Sequence, residues 1–243
     1  MNIRLAINQY LERHGFGSEF APRAVLFDMD GVLYDSMPYH AIAWHETMKR
    51  HHINMSEKDA YLCEGMRGVE TIRKFFEEQH GETISLEVAQ EIYAEKSRRF
   101  AELGPVKKMD GVEDVMRFFH STGMTIGVVT GSGQQTLLDR LVNDFEGMLQ
   151  LEHIVNANDV THGKPHPEPY LKGIEKCGVE PRQAIVVENA PIGVESAVAA
   201  NIFTVAVNTG PLPDKLLLER GADLVFDDMK QFLEEWKKQL LKI

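Results

Sequence analysis

Four short apolar runs rich in β-branched residues set the strongest limit on how this chain folds: Ala24-Val25-Leu26-Phe27, Thr125-Ile126-Gly127-Val128-Val129, Ala184-Ile185-Val186-Val187 and Phe203-Thr204-Val205-Ala206-Val207. Runs that are apolar throughout, rather than at alternate positions, fit strands buried on both faces. A weaker run at His153-Ile154-Val155-Asn156-Ala157 joins them, and Leu224-Val225-Phe226 fits a short edge strand. Helical patterns fill the intervals at 112–120, 134–143, 167–177 and 193–200. Strands alternating with helices predict an α/β fold with a doubly wound, parallel, Rossmann-like sheet.

The alternation is interrupted once. Nearly a hundred residues separate the first strong run from the second, and most of them read as helix. Residues 39–51 carry Ile42, Trp44 and Met48 among polar neighbours, and residues 87–100 repeat the texture with Ile92, Tyr93 and Phe100. The expected organisation is a core of residues 21–35 and 106–243 with a helical cap inserted at 36–105. The two crossings, at 34–38 and 103–109, contain proline or glycine and suit a hinge. Residues 1–20 read as an accessory helix docked outside the core, with Ile3, Ile7, Tyr10 and Leu11 on one face. Residues 231–243 read as an amphipathic surface helix carrying Phe232, Leu233, Trp236 and Leu240.

Composition narrows the function classes. With 37 acidic residues against 26 basic ones the formal charge is −11, which disfavours a nucleic-acid partner. No apolar run approaches the length that spans a bilayer, and the first ten residues form no uninterrupted signal segment, so a cytoplasmic location without membrane attachment is expected. Cys63 and Cys177 stand far apart, which fits two buried free thiols rather than a disulfide or a zinc site. His51 and His52 have no acidic or cysteine neighbour at ligand spacing and read as surface residues. Nothing in the sequence calls for an obligate protein partner.

The chemistry concentrates where strands end. In Phe27-Asp28-Met29-Asp30-Gly31-Val32 two carboxylates stand two residues apart as a buried strand gives way to glycine. Ligands of open parallel sheets bind outside the carboxyl ends of strands. Such an acidic pair also serves as a turn or a helix cap, but three further loops add complementary groups: Thr130-Gly131-Ser132, Lys164-Pro165 and Glu188-Asn189. A carboxylate can attack phosphorus, hydroxyl and N–H groups can hold phosphate oxygens, a lysine can offset charge, and carboxylate or amide oxygens can bind a small phosphorylated substrate's magnesium.

This ordered set resembles the haloacid dehalogenase superfamily. Residues 28–36, followed by a helical cap and by Gly163-Lys164-Pro165-His166-Pro167-Glu168-Pro169-Tyr170, resemble its β-phosphoglucomutase-like subgroup of capped phosphatases, mutases and pyrophosphatases. The resemblance implies that Asp28 is the nucleophile and Asp30 the general acid and base. It implies that Thr130, Gly131, Ser132 and Lys164 hold the transferring phosphoryl group. It further implies Mg2+ among Asp28, the Asp30 carbonyl, Glu188 and Asn189.

Two departures bear on the activity. Most relatives carry aspartate where this chain has Asn189, which removes a negative charge from the metal set. Hexose-phosphate mutases of this layout tend to carry lysine where Glu64 stands, and on cap closure Glu64 is expected to reach the metal region and shrink the space for a sugar. The competing reading of Glu64 is a solvated loop residue. Among other cap residues, His40 and Arg67 are candidate substrate contacts, Arg67 for a second phosphate, and Trp44 reads as core. The sequence therefore favours a Mg2+-dependent phosphohydrolase acting on a small phosphorylated metabolite such as pyrophosphate. The alternatives are a β-phosphoglucomutase and, third, a catalytically silent phosphate- or partner-binding protein.

Overall fold

The computed structural model describes residues 2–17, 19–132 and 135–240, the side chains of 135–138 and 239–240 apart. Six parallel strands form one sheet: β1 (Ala24–Phe27), β2 (Thr125–Val129), β3 (Leu149–Val155), β4 (Ala184–Glu188), β5 (Phe203–Val207) and β6 (Leu224–Phe226), in the order β3-β2-β1-β4-β5-β6. This is the doubly wound arrangement. All five strongest or shortest runs fall where the sequence placed them. The weaker one begins earlier than expected, at Leu149, because β3 pairs with β2 across a register shift between Ile126 and Val128.

Side-chain alternation explains why the strands other than β3 carry no polar face. Val25 and Phe27 point to one side with Ile126, Val128, Ile185, Val187, Phe203 and Val205, whereas Leu26 points to the other with Val129, Val155 and Val186. Helices cover both sides. Helices α1 (Ile3–His14), α6 (Val112–Ser121) and α11 (Met229–Leu240) pack on the first side through Tyr10, Phe119 and Trp236. On the second, α8 (Glu168–Lys176) and α9 (Pro191–Ala199) pack through Tyr170, Ile174 and Ala197. Helix α7 (Gln135–Asp144) follows β2, and α10 (Asp214–Glu219) follows β5. The expected start of α7 at Gln134 and end of α11 at Ile243 lie outside the described residues, as do Met1 and Ser18 of the N-terminal segment.

One expectation changes here. Helix α1 is not docked outside the core, because Ile3, Ala6, Tyr10 and Leu11 are buried in the same apolar cluster as Phe27 and Phe203. Asn2 caps its first turn through its side chain, and Gly15 closes its last turn in the left-handed conformation. The Tyr10 hydroxyl donates to the Asn201 carbonyl at 2.9 Å, and its ring meets Phe203 edge-on. An apolar helical face of this width has no stable alternative to burial.

Helices α2 (Met37–Arg50), α3 (Glu57–Leu62), α4 (Gly68–His80) and α5 (Leu86–Glu102) bury an apolar cluster of their own, built on Trp44, Met48, Ile72 and Ile92. Two chain crossings join it to the sheet and run side by side. The Asp35 N–H donates to the Lys107 carbonyl, and the Met109 N–H donates to that of Leu33, each at 2.9 Å. Among the described residues no helix is long and apolar enough to cross a membrane. Both cysteines are free and only partly buried, a departure from the expected buried thiols.

Tyr10→Ala should destabilise the protein by roughly 3–5 kcal/mol through lost burial and cavity formation. Tyr10→Phe should cost only about 1 kcal/mol through the lost hydrogen bond. Denaturant midpoints at unchanged slope would verify both; a midpoint unmoved by Tyr10→Ala would show that α1 contributes nothing to the fold.

Candidate active site

The strand order reverses between β1 and β4, and this is where an open parallel sheet forms its crevice. Phe27 pairs with Val128 on one side and Val187 on the other, so the residues that follow β1, β2 and β4 emerge at one level. Asp28 follows β1, Thr130 follows β2, and Glu188 closes β4. Gly31 turns the chain with φ of +81°, and a Cβ there would lie 2.0 Å from the Asn189 amide nitrogen. Only glycine fits both the left-handed backbone and that approach.

Lys164 joins the strand ends. Its ammonium donates to Asp28 Oδ1 at 2.5 Å, to Glu188 Oε1 at 2.7 Å and to the Val129 carbonyl at 3.1 Å. Burial opposes its charge, but Asp28 and Glu188 outweigh that cost and hold its proton above the ordinary lysine range. Glu188 is saturated. Oε1 also accepts the Tyr170 hydroxyl at 2.7 Å, and Oε2 accepts the N–H groups of Asn189 and Ala190 at 2.9 and 3.1 Å. Four donors fill the lone-pair sites of a carboxylate, so in this arrangement Glu188 positions Lys164 and the following loop rather than presenting a free oxygen.

The phosphate-loop candidates divide in the same way. Gly131 and Ser132 line a cavity above Asp28, whereas Thr130 is buried beneath it and accepts the Ser132 N–H at 3.0 Å. The cap closes the cavity from above. Its turn at Gly65 has φ of +83°, and a Cβ there would meet the Lys164 side chain at 2.9 Å. Glu64, expected to be either solvated or drawn to the metal region, is buried at 9% exposure, and its Oε2 accepts the Asn189 amide at 3.1 Å.

That contact leaves two buried oxygens, Glu64 Oε1 and Asn189 Oδ1, without a hydrogen-bond partner. Unpartnered buried oxygens are costly and rare in folded proteins. The local charge sharpens the point. Burial, opposed by Lys164 and reinforced by Glu188 and Asp30, raises the Asp28 carboxyl to about 8. Burial and then the charges of Asp28, Asp30 and Glu188 raise Glu64 well above its ordinary range. Oxygen donors with an excess of negative charge and two empty acceptors fit a hard divalent cation such as Mg2+.

Asp30 sits in the opposite field. Burial would raise its carboxyl, but the His40 charge and hydrogen bond, the Ser36 hydroxyl at 2.6 Å and Lys96 outweigh this and bring it down to about 2. His40 Nε2 lies 3.1 Å from Asp30 Oδ1, and its Nδ1 lies 2.5 Å from the Lys96 ammonium. The Nε2–H of His40 donates to Asp30, and since one of two nitrogens 2.5 Å apart must accept, His40 and Lys96 share one positive charge beside it. Burial first, then Lys96, keep His40 below its usual range despite Asp30. Burial also lowers Lys96, to about 8, against the pull of Asp30.

Lys96 was not among the sequence candidates. Its signal was available: it stands four residues after Ile92 and four before Phe100, a lysine on the apolar stripe of α5. Tyr170, Ser36 and Tyr93 were also missed, the last lining the cavity. Trp44 is core, as expected, and also lines the cavity beneath the Lys96 ammonium. Arg67 does not line the cavity above Asp28 but lines a smaller one with Thr130, Gly131 and Lys164; its guanidinium donates to the Thr161 carbonyl at 3.0 Å and lies beside Glu70. His51 stays at the surface, its side chain 35% exposed, and Glu95 of α5 comes within 2.8 Å of its Nε2 through tertiary packing that local spacing does not show.

Fold and site together define an enzyme of the capped phosphatase and phosphomutase type. The chain belongs to the haloacid dehalogenase-like hydrolase family, whose model matches residues 25–207. Among its relatives, the Escherichia coli hexitol phosphatase A is 29% identical over 209 residues, covering 86% of this chain and 92% of that protein. The pyrophosphatase PpaX of Oceanobacillus iheyensis is 25% identical over 212 residues, covering 87% and 95%. A solved structure from Bacteroides vulgatus, provisionally called a β-phosphoglucomutase, is 46% identical with a TM-score of 0.92 and covers 96% of this chain and 95% of its own.

The raised carboxyls fix a pH dependence. Asp28 binds more protons in the folded than in the unfolded chain from about pH 4 to about pH 8, so with cations chelated its contribution to stability falls as pH rises through that window, and the raised Glu64 acts in the same direction. The depressed Asp30 acts the other way, and only below about pH 4. Melting temperatures in chelator should decline between about pH 5 and about pH 8, more shallowly in Glu64→Gln. An equal slope in the variant would show that Glu64 is ionised without cost.

Proposed function

We propose that this chain is a magnesium-dependent phosphohydrolase that works through an aspartyl phosphate on a small phosphorylated compound, with inorganic pyrophosphate the substrate that fits best. The observation that carries this reading is Glu64, a carboxylate buried in the closed cap wall beside Asn189 where a sugar-binding cap would present a cation or open space.

Asp28, in its ionised form, attacks phosphorus, and the bond to the leaving oxygen breaks. Lys164 holds the attacking carboxylate in place through Oδ1, and Glu188 with Tyr170 holds Lys164. The Gly131 N–H and the Ser132 hydroxyl, on a loop that Thr130 ties down, would take the equatorial oxygens. The Asn189 and Glu64 oxygens, with Asp28 and the Asp30 carbonyl, would hold Mg2+, and Glu188 supports this set from behind. The cation supplies charge neutralisation for the phosphoryl oxygens and keeps Asp28 ionised at neutral pH.

The field around Asp30 favours a particular leaving group. Held near 2 by His40, Ser36 and Lys96, Asp30 is ionised in this arrangement and so begins as a base. A sugar alkoxide needs a proton as it departs, whereas phosphate leaves from pyrophosphate without one. In the second step Asp30 accepts the proton of a water that attacks phosphorus, and Asp28 is released as carboxylate. His40 and Lys96 are positioning residues in this scheme.

The resemblance to the Bacteroides vulgatus structure keeps a mutase in view, with β-glucose 1-phosphate converted to glucose 6-phosphate. Purified protein assayed against pyrophosphate, a panel of sugar phosphates, and β-glucose 1-phosphate with a bisphosphate primer should release phosphate from pyrophosphate fastest. Isomer formation without phosphate release would replace hydrolysis by the mutase. Asp28→Asn should lower turnover by roughly a thousandfold or more. Turnover that survives Asp28→Asn would remove the aspartyl-phosphate route. Glu64→Gln should move the Mg2+ activation curve to higher concentration, and an unmoved curve would take Glu64 out of the cation set.

A further inference from the structure

The loop that carries Lys164 presents a second group of ligand atoms on its outer side. His162, His166 and Glu168 each offer one, and the three lie within 4.8 Å of one another. None of them lines the cavity above Asp28. His162 and His166 instead face a crevice whose other wall is Met66, Glu70 and Lys74 of the cap.

The group is organised before any ligand arrives. The Glu168 carboxylate accepts the N–H groups of Thr161 at 2.8 Å and His162 at 2.9 Å, which, with the His162 ring and Lys172 and against slight burial, bring it down to about 2. His162 Nδ1 lies 3.0 Å from Glu168 Oε2, close to the spacing of neighbouring ligand atoms around a metal with bonds of about 2.0–2.1 Å. The His162 and His166 rings pack with centroids 4.6 Å apart, tilted by 33°. The backbone of His166 is pinned by Ser196, whose hydroxyl donates to its carbonyl at 2.6 Å.

We propose that His162, His166 and Glu168 bind a borderline divalent transition metal of the zinc class, at a site distinct from the oxygen-lined site under the cap. Two imidazoles and one carboxylate match Zn2+ and its neighbours, whereas Mg2+ prefers oxygen ligands and keeps its waters. On binding, His162 as a neutral imidazole turns its Nδ1 lone pair to the metal and keeps its proton on Nε2, and water completes the coordination on the open side. Bound there, it ties both ends of the segment 162–168 around Lys164.

The test is titration of the full chain with Zn2+ in saturating Mg2+, followed by calorimetry, with Co2+ absorption as a second readout of nitrogen ligation. Saturable one-to-one Zn2+ binding is expected in the wild type and in Glu64→Gln. His162→Ala and His166→Ala, both at exposed side chains, should each weaken it by roughly tenfold or more while leaving the melting temperature in chelator unchanged. Absence of saturable binding, binding unchanged in the double histidine variant, or binding lost in Glu64→Gln would each overturn the site. Because the readout is metal binding in the presence of Mg2+, the result stands apart from whether the protein hydrolyses pyrophosphate.

Discussion

A buried ammonium shared between two carboxylates holds this molecule's working end together. Lys164, Asp28 and Glu188 are all nearly inaccessible, and a charged trio in such a place persists only because every member has partners: Val129 for the lysine, Tyr170 and two backbone N–H groups for Glu188. Removing any one strands a charge, which costs more than the intact set contributes. The trio therefore dictates where the strand ends of β1 and β4 and the loop before α8 sit relative to one another. It also leaves Asp28 with one oxygen engaged and its charge opposed by its neighbours, the condition in which a further cation has the most to offer.

The cap imposes a second constraint, of the same electrical kind. Two carboxylates reach the cavity from opposite fields: Glu64 among like charges, Asp30 among His40, Lys96 and Ser36. One is pushed toward its neutral form and the other held ionised, although they line a single space. Environment rather than residue type assigns their tasks, and the environment exists only when the cap lies against the sheet. The paired crossings at Leu33–Met109 and Asp35–Lys107 are where a change of cap position would be absorbed.

The strands were legible because burial on both faces leaves a plain mark, an apolar run without alternation, and β1, β2, β4, β5 and β6 all bear it. Asp28, Asp30 and Asn189 were legible because they follow such runs closely, and Lys164 because it stands in the Gly163-Lys164-Pro165 segment of a loop. Lys96 and Tyr170 were not, since each lies within a helix and acquires its importance from a partner in another element. For Arg67 and His51 the local context left out the partners that packing supplies, the Thr161 carbonyl and Glu95. Helix α1 looked peripheral because amphipathicity alone does not reveal which surface a helix will cover.

By itself the sequence determined the doubly wound sheet, the helical insertion and the order of acidic, hydroxyl and basic groups at the strand ends, because periodicity and chain order are local properties. Only the tertiary structure decided that Glu188 is fully engaged, that Glu64 lies buried against Asn189, and that Asp30 rests in a cationic field. These are consequences of which charges share a low-dielectric space, and that is set by distances between elements far apart in the chain.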